Sequence, residues 1–224
     1  MTVGGGPIDS DQYPVWDLTI RLIHWYFPAA IGVMWWSGEQ GRMEVHAWVG
    51  YSLLILVLTR IVWGFIGSES ARFRHFVRGP GEIRRYLASG GAYSGHNPLG
   101  ALSVVVLLAL LVSQTVSGTM SSDDILFEGP FAYWAQDWSG AVADWHETNW
   151  RLLQGLIALH LIAVGWYQWK KRQPMVQTMI RGRSETRFSA AAPRPLWLSM
   201  MTASILSGVL WWLITVAPEA PSYY

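Results

Sequence analysis

The chain of 224 residues contains no cysteine. This absence excludes disulfide bonds, cysteine-held iron–sulfur clusters and the Cys-x-x-Cys-His attachment of c-type haem. Charged residues are scarce, at 14%, whereas 51% of the residues are apolar and fifteen are tryptophan. These values are typical of an integral membrane protein. Residues 1–17 carry acids but no Lys or Arg, and no clear small-residue cleavage site follows the first apolar run, so we expect no signal peptide.

Five apolar runs are long enough to cross a bilayer, which requires about 20 helical residues. We predict an all-α membrane protein with spans near 18–37, 45–66, 99–118, 147–169 and 196–216.

The basic residues are distributed unevenly among the loops. Twelve of the sixteen Lys and Arg residues lie in segments 67–98 and 170–195, whereas the loops 38–44 and 119–146 carry only Arg42 among seven acids. Loops of membrane proteins that remain in the cytoplasm are enriched in Lys and Arg. The pattern predicts a cytoplasmic N-terminus and a periplasmic C-terminus.

Two histidines mark the predicted fourth span. His146 and His160 are fourteen residues apart, which places them on one helix face with about 21 Å between them along the axis. This spacing is too long for one metal ion but suits two haems stacked through a membrane. The alternative is two unrelated histidines, one at a helix end and one buried and hydrogen-bonded.

Depth in the membrane sorts four histidines into two pairs. His24 and His160 lie toward the cytoplasmic side, and His46 and His146 lie toward the periplasmic side. Ionisable groups inside a span are costly and require a reason. Each pair could supply the two axial ligands of a non-covalent, six-coordinate b haem, which moves single electrons and has no open position for oxygen.

Four arginines lie outside the basic loops. Arg21, Arg60 and Arg151 fall at the same two depths as the histidines and are candidates to bind haem propionates. The alternative for each is snorkelling to the lipid headgroups, which we favour for Arg42.

Small and polar residues within the spans are further candidates for contacts with a cofactor. Gly155 lies between the two histidines of the fourth span, where a flat macrocycle could pack; close helix packing is the alternative. Gln114, Thr115 and Ser117 could contact a quinone, but interhelical hydrogen bonds are the commoner use of such residues.

Aromatic residues alternate with acids over 127–145, which predicts an interfacial helix that serves as a lid, a docking surface for a periplasmic partner, or both.

A set of motifs resembles a known family. Val15-Trp16-Asp17, then Arg21 and His24-Trp25, with the later histidines, is similar to bacterial di-haem cytochromes b. That family includes the b-type subunit of nickel–iron hydrogenases, a formate dehydrogenase subunit and prokaryotic cytochrome b561. The resemblance covers 15–172 and implies a four-helix transmembrane bundle holding two haem b groups in the bacterial cytoplasmic membrane. It also implies electron exchange between a periplasmic partner and quinone.

The domain boundaries follow from this resemblance. We expect a cytoplasmic N-terminal segment 1–17, a di-haem core 18–172, a basic linker 173–195, and a fifth transmembrane helix with a periplasmic tail, 196–224. The last two segments lie outside the four-helix core. The expected partners are the lipid bilayer, quinone, and a hydrogenase-like subunit or cytochrome c in the periplasm; we expect no nucleic acid.

The leading interpretation is the quinone-reacting electron-transfer subunit of an oxidoreductase. A quinone site near the cytoplasmic haem would be lined by Arg21, Arg60 and the start of the third span. Two alternatives remain. One is a self-sufficient superoxide:quinone oxidoreductase, and the other is a haem-free membrane anchor or small transporter with structural or proton-binding histidines.

Overall fold

The computed structural model describes residues 13–89, 97–122, 127–184 and 192–218. Five long helices dominate it: α1 (Leu18–Glu39), α2 (Met43–Ile66), α5 (Pro98–Met120), α6 (Ser139–Gly165) and α8 (Leu196–Val216). Shorter elements connect them: α3 (Phe73–Phe76), α4 (Pro80–Ser89), α7 (Met175–Arg181), and the paired two-residue strands β1 (Tyr13–Pro14) and β2 (Arg183–Ser184). We call the end with segments 67–98 and 170–195 the basic end, and the opposite end the acidic end.

The helix bounds agree closely with the predicted spans except at α6. This helix begins at Ser139, eight residues before the predicted start, and continues after Gly165 as a π-helical turn, Trp166–Lys170. His146 therefore lies two turns inside the helix and not at its start. The predicted interfacial helix over 127–145 is replaced by a 3₁₀ helix, Ala132–Trp138, which leads directly into α6.

Among the described residues, four helices are long and apolar enough to cross a membrane: Met43–Ile66, Pro98–Met120, Ala132–Lys170 and Leu196–Val216. α1 has 22 residues and packs against α2, but it contains Arg21, His24 and Glu39 and does not reach the same hydropathy. The chain is thus a helical, multi-pass membrane protein, and the crossing of α1 stays a prediction.

One apolar core joins four of the helices. α1 packs on α2, α2 on α5 and α5 on α6. α1 and α6 also approach through Trp35 and Trp150, whose ring centroids are 6.5 Å apart. Burial of apolar side chains contributes about 25 cal/mol per Å². The buried cluster draws on all four helices and comprises Ala30, Leu53, Val57, Leu108, Leu111 and Leu153.

α8 lies against the outside of this bundle, beside α2 and α1. The Thr19 and Ser199 hydroxyls share a hydrogen bond of 2.8 Å, and both residues are buried. Leu198 packs on a second buried cluster that includes Trp63. These contacts connect the last helix to the start of α1.

The basic end is closed by local hydrogen bonds. Gly182 ends α7 with a φ of 76°, and its carbonyl accepts from the backbone N–H groups of Val15 and Trp16. A residue with a side chain would be strained at that φ. Nearby, the Tyr86 and Tyr167 hydroxyls are 2.7 Å apart, and this hydrogen bond raises the pKa of Tyr86 to about 12.

Asp17 anchors the start of α1. Its carboxylate accepts from the Ile20 backbone N–H at 2.8 Å, as an N-cap, and from the Trp63 indole at 2.9 Å. Asp17 is 4% exposed and Trp63 is fully buried. One side chain therefore caps α1 and connects it to α2.

We predict that Asp17→Ala destabilises the protein by about 2–4 kcal/mol, because it removes a helix cap and leaves a buried indole N–H without its acceptor. Thermal unfolding in detergent, followed by circular dichroism, measures the loss. The matched control is Asp137→Ala, which removes an exposed carboxylate from the acidic end. Equal midpoints for the two variants would contradict this account of Asp17.

Candidate cofactor sites

The structure brings His46 and His146 together near the acidic end. His46 lies in the first turn of α2, and His146 lies on α6. Their ring centroids are 6.3 Å apart, with the ring planes inclined at 66°. This distance brings the imidazoles of α2 and α6 close to each other.

Hydrogen bonds determine which nitrogen each ring of this pair presents. The Met34 carbonyl lies 3.0 Å from His46 Nδ1 and can only accept, so Nδ1 carries the proton. Ser37 Oγ is 3.4 Å from the same nitrogen. His46 Nε2 is therefore the unprotonated nitrogen, which is the form that binds a metal.

His146 has the same tautomer, held by α5. The Gln114 amide nitrogen lies 3.0 Å from His146 Nε2 and can only donate, so Nε2 is unprotonated. Nδ1 then donates to Ser117 Oγ at 3.0 Å, while the Ser117 hydroxyl donates to the Gln114 carbonyl. Gln114 is oriented by Asn149, whose amide nitrogen donates to Gln114 Oε1 at 2.6 Å. The preference for interhelical hydrogen bonds is confirmed for Gln114 and Ser117, whereas the Thr115 hydroxyl donates to the Leu111 and Val112 carbonyls of its own helix.

Two glycines allow the rings to approach their neighbours. A Cβ on Gly118 of α5 would lie 3.0 Å from His146 Cε1, and one on Gly38 would lie 3.4 Å from His46 Nδ1. The first distance is too short for an unrelaxed contact, so Gly118 makes room for the ring of His146. Gly155, by contrast, faces open space on α6, and so does Gly32 on α1.

The second histidine pair lies toward the basic end. His24 on α1 and His160 on α6 are close enough for their charges to interact. The His24 ring packs edge-on against Trp25 at 5.2 Å, and within the described residues its buried Nδ1 has no hydrogen-bond partner. Pro28 has no backbone N–H, so it leaves the His24 carbonyl without its usual helical bond.

Two of the three candidate arginines gather at the same end. Arg60 is 8% exposed, its guanidinium carbon lies 5.3 Å from the Phe73 ring centroid, and its charge interacts with Asp17. Arg21 donates from Nη1 to the Ile180 carbonyl at 2.7 Å. Within the described residues, Arg60 Nη1 and Arg21 Nε are buried without a hydrogen-bond partner. These unpaired donors place positive charge at the same end of the bundle as His24, which lies one turn after Arg21 on α1.

Arg151 lies in a different environment. It is exposed on α6 and pairs with Glu147, one turn earlier on the same helix. Its charge is offset by that carboxylate.

A comparison with known proteins identifies the family. The model of the family described as prokaryotic cytochrome b561 matches residues 15–182. The chain belongs to this family. A probable Ni/Fe-hydrogenase B-type cytochrome subunit from Bradyrhizobium diazoefficiens is 26% identical over 214 residues, covering 77% of this chain and 86% of that protein. No solved structure matches the chain. The protein is a membrane b-type cytochrome of electron transfer, and its family implies haem b.

The geometry of the cytochrome fits a haem between His46 and His146. Two metal–imidazole bonds of about 2 Å, with about 1.2 Å from each nitrogen to its ring centroid, require centroids roughly 6–6.5 Å apart. The observed 6.3 Å lies within this range. Both rings present an unprotonated Nε2, and the Gln114 amide that contacts His146 Nε2 would need to rotate away for iron to bind there.

Sequence reasoning alone missed several residues of the cytochrome's sites. The ring of His146 lies beside Gly118, and the ring of His46 lies beside Gly38 and Ser37. These contacts depend on how each helix is rotated about its own axis. The helix cap formed by the buried Asp17 was also missed, although Asp17 belongs to the motif Val15-Trp16-Asp17. A small residue within the last turn of an apolar helix was the available signal.

Gly118→Val is predicted to displace His146 and to reduce haem occupancy at the acidic end to half or less, because the added methyl groups collide with the ring. Haem per chain, from the pyridine haemochrome spectrum, measures this. Gly208→Val on α8 is the control, since a Cβ at Gly208 meets no atom within 4 Å. Full haem content in the Gly118 variant would show that the close approach is not needed.

Ser117→Ala should raise the midpoint potential of one haem by about 40 mV. The hydrogen bond from Nδ1 to Ser117 makes the imidazole more basic and favours ferric iron, and a bond worth about 1 kcal/mol corresponds to that shift for one electron. Potentiometric titration of the haem absorbance gives the value. Thr115→Val serves as the control because the Thr115 hydroxyl donates to carbonyls of α5 itself. An unchanged potential would exclude a tuning role for Ser117.

Proposed function

We propose that this cytochrome passes electrons between a periplasmic redox protein and the quinone pool, with two non-covalent b haems held by His46 with His146 and by His24 with His160. The observation that carries the proposal is the 6.3 Å separation of the His46 and His146 rings. At this spacing the two histidines would be able to hold one haem iron between them. A haem with two histidine ligands transfers one electron at a time and binds no oxygen.

The protein's own groups prepare each ligand. The Met34 carbonyl and the Ser117 hydroxyl keep the proton on Nδ1, so each Nε2 can bind iron without first losing a proton. Arg60 and Arg21 would supply donors to anionic propionates at the other pair, while Arg151 is a weaker candidate because it pairs with Glu147. Gly155 faces open space on α6, which leaves room for a flat macrocycle to pack there. Burial strengthens the attraction of such arginines for an anion.

The distribution of charge supports an orientation in the bacterial inner membrane. Basic residues concentrate at one end, which we assign to the cytoplasm, so that the N-terminus is cytoplasmic and the C-terminus is periplasmic. With five crossings, α1 completes the four-helix bundle and α8 is the additional helix. The His46 and His146 pair then lies nearest to the periplasm.

The partner at the acidic end is proposed from the relative's name. That relative is a probable subunit of a Ni/Fe-hydrogenase, and a hydrogenase-like subunit or a cytochrome c would deliver electrons to this end. The 3₁₀ helix Ala132–Trp138 exposes Trp134 and Trp138, at 54% and 72%, and Phe131 stacks on Trp134 at 5.1 Å. This exposed aromatic surface is our candidate for docking.

Quinone is proposed to react at the basic end. Arg21 and Arg60 retain buried donors there, and Asn97 at the start of α5 donates to the Tyr167 hydroxyl at 2.9 Å. A quinone carbonyl requires such hydrogen-bond donors in an otherwise apolar site.

Haem counting in histidine variants tests the ligand assignment. The wild-type cytochrome should contain two low-spin b haems per chain, and His160→Ala and His146→Ala should each retain one, because each removes one ligand of a different pair. The reduced-minus-oxidised visible spectrum with a haem assay provides the count. His75→Ala is the control, since His75 contacts Glu69 and Arg74 outside the bundle.

Three other results would contradict the proposal. Two haems in His160→Ala would refute the pairing. A colourless wild-type protein, expressed with adequate haem, would favour the membrane anchor or transporter. Rapid haem reduction by superoxide without any partner protein would favour the superoxide:quinone oxidoreductase.

A further inference from the structure

A cavity opens at the basic end, away from both histidine pairs. It has a volume of about 390 Å³ and lies between the segment that follows α2 and the segment that leads into α8. Its lining includes Ser68, Glu69, Arg72, Arg74, His75 and Arg194. This volume is in the range of small-molecule sites. We call it the arginine cleft.

The charge of the arginine cleft is positive. Three arginines are among its lining residues, against one acidic residue, Glu69. His75 Nδ1 lies 3.5 Å from Glu69 Oε1, so the carboxylate faces the imidazole. An anion in the cleft would therefore meet a net positive charge.

Hydrogen bonds orient two of the guanidinium groups. Arg72 Nε donates to the Gly67 carbonyl at 2.8 Å, and Arg74 Nε donates to His75 Nε2 at 3.0 Å. Both bonds engage Nε, and each planar guanidinium has further N–H donors on its two Nη atoms. Paired donors in this geometry match the oxygens of a phosphate group.

The third arginine reaches the cleft from a distant part of the chain. The Arg194 backbone N–H donates to Ser68 Oγ at 2.9 Å, and Ser68 is 5% exposed. This bond fixes the segment before α8 against the segment after α2. The cleft is therefore formed by tertiary structure and not by one run of basic residues.

The position of the cleft relates it to the membrane surface. Ser68 follows the end of α2 by two residues, and Arg194 precedes the start of α8 by two residues. Both helices are long and apolar enough to span a bilayer. Their ends lie where lipid headgroups lie, and basic pockets between spanning helices at that level attract anionic headgroups.

We propose that the arginine cleft binds a phosphate anion, presented by the headgroup of an anionic phospholipid or by phosphate in solution. Arg72, Arg74 and Arg194 contact its oxygens. The site is separate from electron transfer, and it would connect the α2 and α8 ends of the protein to a single ligand.

Lipid titration of the delipidated full-length protein in neutral detergent tests this proposal. Short-chain phosphatidylglycerol, phosphatidylcholine and inorganic phosphate are the three probes, and native mass spectrometry counts bound molecules. We expect phosphatidylglycerol to bind the wild type in preference to phosphatidylcholine. Arg74→Gln with Arg194→Gln should weaken that binding roughly thirtyfold, since each arginine near the surface contributes about fivefold.

The matched control is Arg78→Gln with Arg84→Gln, which removes the same charge from the same end but from residues outside the cleft lining. Arg78 pairs with Glu82 at 3.5 Å. This control should retain most of the binding. Should the double variant fail to fold, Arg194→Gln alone carries the test, because its side chain is exposed and its backbone bond to Ser68 remains.

Competition distinguishes the two sources of the anion. Displacement of phosphatidylglycerol by millimolar inorganic phosphate would assign the cleft to soluble phosphate, and resistance to it would assign the cleft to lipid. Equal losses in the cleft variant and in the control would overturn the proposal, because the effect would then be one of overall charge. Equal binding of phosphatidylcholine and phosphatidylglycerol would overturn it as well.

Discussion

The arrangement of this cytochrome depends on the need to satisfy imidazole nitrogens inside a membrane. A buried polar atom without a partner costs about 1–3 kcal/mol, and lipid offers it no substitute. At the acidic end the protein meets this need for one nitrogen of each ring, through the Met34 carbonyl and the Ser117 hydroxyl. Because these partners occupy Nδ1, Nε2 is the unprotonated nitrogen of each ring, and at His146 it accepts from the Gln114 amide of α5. The same bonds that stabilise the rings therefore prepare them as ligands.

Much of this architecture was predictable from periodicity and charge. The fourteen-residue spacing of His146 and His160 places both on one face of a helix, and this relation depends only on helix geometry. The bounds of α2, α5 and α8 followed from apolar length in the same way. The start of α6 did not, because Ser139–Trp145 is amphipathic and its apolar residues do not form a continuous run.

The partners of the histidines could not be predicted for a different reason. Ser117 and His146 are 29 residues apart, and their contact depends on how α5 and α6 rotate and slide against each other. Gly118 has the same dependence, since its missing side chain matters only if the His146 ring lies above it. Asp17 and Trp63 are 46 residues apart, yet their hydrogen bond closes the start of the bundle. Such pairs are determined by how the helices pack against each other, and the hydropathy of the sequence gives no information on that packing.

The two ends of the bundle differ in how completely their polar groups are paired. At the acidic end His46 and His146 each have at least one hydrogen bond. At the basic end buried nitrogens of His24, Arg21 and Arg60 have none within the described residues. An anionic ligand that pairs with these donors binds the folded protein but not the unfolded chain, and it therefore stabilises the folded state. Among the described residues, three of the four buried side-chain atoms without a partner belong to Arg21, His24 and Arg60, and the fourth, Asn149 Oδ1, lies one turn from His146. Cofactor binding should therefore contribute more to the stability of the basic end than to that of the acidic end. Folding and cofactor capture should therefore be coupled most strongly where α1 enters the bundle.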